Sequence, residues 1–337
     1  MKAAFFDLEG WEIPSINQQC KKAGIDVITA STEVFDETGA AQAKDAEIIS
    51  VFLSKVDQAS IEIFPQLKLI STRATGFDHI DVEYAKKKGI AVINIPAYCE
   101  QSVAEYAMAL ILMLSRKLSI SFMQSLFGIF DRKTIRGHDL QGKTLGVVGT
   151  GKIGRKLIQM ASCFDMKIIC YDVKQKTELI APYKAEYVPL ETLLKTSDII
   201  SLHVPLTPQT HHLINFDTLK ILKKGVLLVN TARGPVVDTS AIRQGLKDDV
   251  FGGVALDTFE AEQIWIKRTY TLDKAELPSA KILKKALEAF YLLRFKNVIL
   301  SPHNAFNSYE AVQRMMDISL ADIISFNQGG DCQHRIV

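Results

Sequence analysis

TLGVVGTGKIGRKLIQMASCFDMKIICYD, residues Thr144 to Asp172, is the stretch on which the fold of this chain turns. Its apolar run Leu145 to Val148 breaks into Gly149, Thr150, Gly151, Lys152, Ile153 and Gly154. A helix-compatible segment, a second apolar run and an acidic residue follow. That order is what a dinucleotide cradle needs. The first glycine permits a tight turn after a strand, the second lets the backbone approach a pyrophosphate, and the third lets helix and strand pack closely. The phosphates then meet N–H groups at a helix N-terminus, where the helix dipole also favours anions. Asp172 stands 18 residues beyond Gly154, where a carboxylate can accept from both hydroxyls of an adenosine ribose. A 2′-phosphate would meet its charge, so NAD is expected over NADP. Glycine pairs alone also occur in ordinary turns; strand, glycine turn, helix, strand and acid in sequence are far more specific.

Outward from this unit, a length of 337 residues suggests two domains, each able to bury its own core. Hydrophobic residues at 47% and charged residues at 23% are ordinary for a soluble globular chain. Forty basic against thirty-eight acidic residues give a net charge of +2 with no long basic run. Nucleic acid and anionic membrane are therefore not the expected partners, and a small molecule is. Five cysteines without CxxC spacing argue against a disulfide framework or a zinc knuckle and fit a reducing cytoplasm. The N-terminal MKAAFFDLEG meets Asp7 before a signal-peptide apolar region can form, and the best apolar run, Tyr106 to Leu114, is too short to span a bilayer. The expectation is a soluble, unexported protein.

Read in order, the chain alternates strand and helix from its first residues. Strands are expected at Lys2 to Phe6, Asp26 to Thr29, Ile48 to Leu53, Lys68 to Thr72 and Ala91 to Asn94. Helices are expected at Trp11 to Gly24, Asp57 to Phe64 and Val82 to Lys88. Proline and lost periodicity around Ile95 to Tyr98 mark a boundary. Ser102 to Leu118 reads as one long helix, apolar nearly all round, which must be buried in the chain or against a second subunit. Beyond Asp172 the same grammar gives strands at Ile199 to Leu202, Val226 to Asn230, Gly253 to Asp257 and Val298 to Ser301. Helices are expected at Leu190 to Lys195, Thr218 to Leu222, Asp238 to Leu246 and finally Tyr309 to Phe326. A charged insertion between Thr258 and Asn297 reads as loop plus helix. The pattern predicts an α/β protein of two Rossmann-like, doubly wound parallel-sheet domains with a cleft between them. Residues 99–303 would bind the dinucleotide, and 1–98 plus 304–337 would form a discontinuous substrate domain.

Three polar residues follow strands of the nucleotide domain and would converge on one sheet edge: Arg233 in VNTARGP, Glu262 beyond GVALD and His303 after VILSP. A guanidinium can clamp a carboxylate and polarise a neighbouring carbonyl. A histidine exchanges protons near neutral pH, and a carboxylate beside it favours the imidazolium. Each has a bland alternative: an arginine after a strand often forms a surface ion pair, a lone loop histidine is commonly satisfied locally, and a loop glutamate is usually just solvated. Their joint placement favours chemistry. His211 and His212 are adjacent rather than at ligand spacing, His79, His138 and His334 have no partnered motif, and no GxSxG elbow is present, so neither a metal site nor a nucleophile is indicated.

VVGTGKIG with Asp172, SLHVPLTPQTHHLIN, VNTARGPVVD, GVALDTFEAE and LSPHNAF resemble, in order and over nearly the whole chain, the motifs of the D-isomer-specific 2-hydroxyacid dehydrogenase family, nearest its D-lactate branch. The resemblance implies reversible NAD-dependent reduction of a small 2-oxoacid, with pyruvate first among the candidates. It implies that Arg233 binds the substrate carboxylate and carbonyl, that His303 is proton donor or acceptor, and that Glu262 tunes it. Thr75 and Gly76 would offer backbone N–H groups to the carboxylate as the two domains close, and Tyr98, Phe306 and Phe52 would line the pocket. Gly149, Gly151, Lys152, Ile153, Gly154 and Asp172 would hold the cofactor's phosphates and ribose. His203, Val204, Pro205, Thr231 and Ala232 would flank it, and Asp257 would face its carboxamide. A homodimer through the 102–118 helix is also expected. Two departures bear on packing and on the lip of the cleft: Ser119 to Phe130 is unusually apolar, and the insertion after Glu262 is rich in lysine. The alternatives are a bulkier 2-oxoacid or glycerate as substrate, or an NAD-sensing binding protein of the corepressor type.

Overall fold

The computed structural model describes residues 1–29, 39, 42–52, 54–266 and 279–337. It separates into two compact units, Met1–Cys99 with Ser308–Val337, and Glu100–Asn307. Leu53 and the first half of the lysine-rich insertion, 267–278, lie outside the described residues.

The first unit is a five-stranded parallel sheet in the order β2-β1-β3-β4-β5. Its strands are β1 (Lys2–Phe5), β2 (Asp26–Thr29), β3 (Ile48–Val51), β4 (Leu69–Thr72) and β5 (Ala91–Ile93). Every residue of β3 and β4 is buried. Such uninterrupted burial, with only Ser50, Ser71 and Thr72 polar, belongs to parallel strands covered on both faces. Ala4, Ile49, Ile70 and Val92 pack one face with Phe6, Ile61 and Phe64. The helix Tyr309–Asn327 returns to this sheet, where Ser319 on the helix and Ser71 on β4 share a hydrogen bond of 3.1 Å.

The second unit is a seven-stranded parallel sheet in the order β12-β11-β10-β9-β6-β7-β8. Its strands are β6 (Thr144–Val148), β7 (Lys167–Tyr171), β8 (Glu186–Tyr187), β9 (Ile199–Leu202), β10 (Val226–Asn230), β11 (Phe251–Leu256) and β12 (Val298–Leu300). Side chains alternate between two cores. Leu145 and Val147 of β6 point into a layer with Ala107, Ile111, Leu157 and Ile158. Val148, Ile200, Leu228 and Val254 point into the opposite layer with Ile242 and Leu292. Each fully buried Leu, Ile or Val contributes about 1.5–3 kcal/mol relative to exposure, so the two apolar faces of the sheet secure the doubly wound arrangement.

The helix expected over Ser102 to Leu118 stops three residues sooner, and the apolar stretch after it forms a second helix. The first, Glu100–Ser115, ends at Ser115, and Lys117, in the left-handed region at φ 51°, turns the chain into a second helix, Leu118–Leu126. The first helix turns its buried residues toward its own sheet. The second has no buried residue. Among the described residues no single helix is long and apolar enough to cross a membrane; these two meet the criterion only as a pair bent by 66°. Strand β8 has two residues, too few to give the sequence a period. Asn304 to Asn307 belong to the second unit, since Asp257 accepts the backbone N–H groups of Asn304 at 2.8 Å and Ala305 at 2.9 Å.

Candidate active site

Parallel pairing brings the carboxyl ends of β6, β9, β10, β11 and β12 to one edge of the second sheet. Strand order reverses between β9 and β6, and at such a switch point the loops diverge and leave a crevice. The glycine turn follows β6 there. Gly149 has φ +95°, and a Cβ on it would lie 2.5 Å from the His203 carbonyl oxygen at the end of β9. A Cβ on Gly154 would meet the Gly149 oxygen at 2.0 Å, whereas one on Gly151 would meet nothing within 4 Å. The first and third glycines are thus enforced by the fold, and the second faces open space.

Gly151 caps the helix Lys152–Ser162 without a side-chain bond, so its first turn offers backbone donors at the mouth of the turn. Lys152 is exposed, Ile153 half-buried, and Lys152 lies 3.6 Å from Glu100. Asp172 ends β7 and reaches back across the turn. Its Oδ2 accepts from the Thr150 N–H at 2.7 Å and hydroxyl at 3.1 Å, and its Oδ1 accepts from the Lys174 N–H. Burial pushes its carboxyl up, but the N–H groups of Lys174 and Thr150 and the Thr150 hydroxyl outweigh that and leave it below the usual carboxylate range. Asp172 is therefore an anion at neutral pH. Tyr187 donates to the Thr150 hydroxyl at 2.8 Å. An enclosed turn of obligatory glycines, uncapped helix donors and a fixed carboxylate fit a dinucleotide bearing a free ribose.

His203 is half-buried with its ring enclosed: Nε2 sits 2.8 Å from the Ser201 hydroxyl, and Nδ1 has no partner among the described residues. Burial pushes its pKa down to about 4, so the ring is neutral. Val204 and Pro205 follow it, half-buried and exposed. Thr231 and Ala232 are buried after β10, the Thr231 hydroxyl without a partner among the described residues.

The three candidate reactive side chains stand on turns after three neighbouring strands. Arg233 follows β10, its Nη1 donating to the Ala232 oxygen at 2.8 Å; among the described residues it makes no ion pair. Asn230 at the strand end steadies this turn, donating to the Arg233 and Thr258 oxygens and accepting the Ala232 N–H. Glu262 lies beyond β11, its Oε2 accepting the Phe259 N–H at 3.0 Å. Its Oε1 is 2.9 Å from His303 Nδ1. A carboxylate can only accept, so Nδ1 carries the proton and Nε2 is left for a ligand. His303 has φ 53°, strained for a non-glycine residue, and Phe306 meets its ring edge-on at 6.4 Å.

Asp257 is almost wholly buried, and its oxygens accept from the Ser301 hydroxyl at 2.6 Å and from the Asn304 and Ala305 N–H groups. It pins the turn that carries His303. The family resemblance implies a cofactor-facing role for Asp257, and in the structure both its carboxylate oxygens accept hydrogen bonds from this turn.

In the first unit, Thr75 and Gly76 follow β4. Thr75 is exposed and held to the end of β5, its hydroxyl donating to the Ile95 oxygen and its own oxygen accepting from Asn94 Nδ2. Phe52 is half-buried beyond β3, with its N–H donating to Asp7 Oδ2 at 2.8 Å. Tyr98 is buried, and its backbone carbonyl oxygen accepts from Arg314 Nε. Sequence reasoning missed the supporting side chains Asn230, Ser301, Thr150 and Tyr187, because nothing local marks which hydroxyl or amide meets a turn many residues away.

Comparison with known proteins reports on the same regions. A family model described as the NAD binding domain of D-isomer specific 2-hydroxyacid dehydrogenases matches residues 108–305. A glyoxylate reductase of Thermofilum pendens is 39% identical over 292 residues, covering 85% of this chain and 79% of its own. A D-lactate dehydrogenase of Curvularia clavata is 33% identical over 344 residues, covering 100% of this chain and 95% of its own. Among solved structures, D-lactate dehydrogenase from Aquifex aeolicus complexed with NAD and lactic acid is 37% identical at a TM-score of 0.85, over 97% of this chain and 96% of that one.

Proposed function

The chain belongs to the D-isomer-specific 2-hydroxyacid dehydrogenase family of NAD-dependent oxidoreductases, and from that premise we propose that it reduces pyruvate to D-lactate. The observation that carries this reading is the 2.9 Å contact between Glu262 and His303 Nδ1, which dedicates Nε2 to the substrate oxygen. Bound NAD supplies reversible hydride exchange at C2 of the acid. His303 Nε2 gives a proton to the carbonyl oxygen in reduction and takes it back in oxidation. Glu262 holds the ring's orientation and keeps a proton on Nδ1. Arg233, which pairs with no carboxylate among the described residues, clamps that of the substrate and polarises the carbonyl. Thr75 and Gly76 are assigned to the substrate carboxylate, and Phe52, Tyr98 and Phe306 to the side-chain pocket, where aromatic rings favour a methyl group over a charged one.

Glyoxylate, which lacks that methyl, is the second reading, favoured by the 39% identity to a glyoxylate reductase. NADH oxidation with pyruvate, glyoxylate, 2-oxoisocaproate, hydroxypyruvate and oxaloacetate separates these, with chiral analysis of the product. Preference for glyoxylate replaces the first reading with the second. No turnover with any of the five, alongside tight NADH binding, returns the protein to the sensor class. His303→Gln should remove most turnover, about 10²–10⁴-fold, and leave NADH affinity unchanged.

We also infer a homodimer, with the interface on Leu118–Leu126 and the residues just after it rather than on the preceding helix. Leu126, Phe127 and Phe130 are 79%, 74% and 81% exposed, and Phe122 and Met123 are exposed beside them. An apolar cluster of that kind marks an association surface.

A further inference from the structure

The GVALDTFEAE segment carries two glutamates, and only the second meets His303. Ala261 between them has φ 62°, a left-handed kink that sends the two carboxylates to different places. The Glu260 carboxylate leaves the edge and enters a small ionic cluster. Its Oε1 lies 3.0 Å from His212 Nε2, and its Oε2 accepts from the Thr239 N–H and from Lys285 Nζ, both at 2.9 Å. Lys285 also contacts Asp238 at 2.9 Å, and Glu288, 3.9 Å from Lys285, accepts from the Ser240 hydroxyl. His212, Asp238 and Glu260 have ligand atoms within 4.8 Å of one another, but the ammonium of Lys285 already supplies the cation there.

This cluster reaches both turns that hold reactive groups. The His212 N–H donates to the Pro235 oxygen at 2.8 Å, two residues past Arg233. The Arg233 turn also abuts the Glu260 backbone directly: a Cβ on Gly234 would lie 2.4 Å from the Phe259 carbonyl and 2.9 Å from the Glu260 nitrogen. Glu262 in turn accepts the Phe259 N–H. His212, like Ala261 and His303, is a non-glycine residue in the left-handed region, and such strain persists only where surrounding contacts over-determine it.

We propose that Glu260 is a positioning residue: gripped by His212, Thr239 and Lys285, it locks the Arg233 and Glu262 turns together and so sets the Glu262–His303 contact. This rests on the roles assigned above to Arg233, Glu262 and His303. The helix Ala280–Leu292, which carries Lys285, thereby acts on the reaction without touching substrate.

The test uses full-length Glu260→Gln, which removes the negative charge that Lys285 pairs with and replaces one accepting oxygen with an NH₂, so that either the Lys285 and Thr239 side loses its acceptor or His212 must change tautomer. With pyruvate and NADH, kcat should fall on the order of 10²-fold, the effect of a misplacement near 1 Å, while the Kd for NADH stays at the wild-type value. Added to Glu262→Gln, the same substitution should cost less than about threefold more, because residues acting as a unit are not additive. Should Glu260→Gln fail to fold, Lys285→Met replaces it, with Lys285→Arg expected to restore most of kcat. Equal losses in both backgrounds, a loss confined to NADH binding, or no rescue by arginine overturns the proposal. A wild-type protein inert toward every 2-oxoacid overturns the functional reading first, and the two failures are thereby distinct.

Discussion

Replacing Asp257 with asparagine tests how the proton-transfer group is held. The carboxylate is buried and accepts three hydrogen bonds, from the Ser301 hydroxyl, the Asn304 N–H and the Ala305 N–H, with Ala305 served by Oδ2 and the other two by Oδ1. Asparagine keeps one acceptor oxygen. In either amide orientation its NH₂ faces a backbone N–H, so one charge-assisted bond worth about 1.5–3 kcal/mol is lost and a buried donor costing about 1–3 kcal/mol is stranded. The cheapest relaxation moves the 301–305 turn, and His303 with it, away from its strained φ of 53°. We expect kcat with pyruvate to fall by about 10²-fold. The urea unfolding free energy should fall by about 3 kcal/mol, and the NADH Kd from fluorescence titration should be nearly unchanged. The opposite split, weak NADH binding with an intact kcat at saturating cofactor, refutes this account and returns Asp257 to the cofactor carboxamide.

Three further expectations concern other parts of the chain. His203 has its folded pKa depressed from 6.5 to about 4, so its contribution is complete above pH 6.5 and is lost as pH falls through that window. Wild type should lose up to about 3 kcal/mol between pH 7 and 4 that His203→Gln does not lose; identical pH slopes in urea melts would contradict its enclosure. Asp172→Ala should raise the NADPH-to-NADH ratio of kcat/KM by on the order of tenfold through lost like-charge repulsion. It should also raise the KM for NADH, because Thr150 loses its acceptor; an unchanged ratio removes Asp172 from cofactor choice. Leu126→Glu with Phe127→Glu should convert a dimer to a monomer in sedimentation equilibrium, and a wild type already monomeric ends the dimer reading.

Much was legible without coordinates because it rests on local periodicity. Parallel strands covered on both faces are largely apolar without alternation, so Ile199–Leu202 and Val226–Asn230 announce themselves. Gly149 is dictated by a φ of +95° that other residues adopt poorly. Arg233, Glu262 and His303 stand out because each polar residue closely follows an apolar strand. The break at Lys117 was hidden, since Leu118–Leu126 is as apolar as the helix before it. An apolar stretch fixes that a surface will be hidden, without saying by what.

The sequence by itself determined two α/β units, a glycine cradle with its acid, and three reactive residue types at strand ends, because backbone sterics and side-chain period act over a few neighbours. Only the tertiary structure decided that Asp257 spends its oxygens on the 301–305 turn, and that Glu260 joins His212 and Lys285. Those contacts link residues roughly 25 to 50 positions apart. They depend on the order in which parallel strands come to lie side by side, which no local pattern encodes.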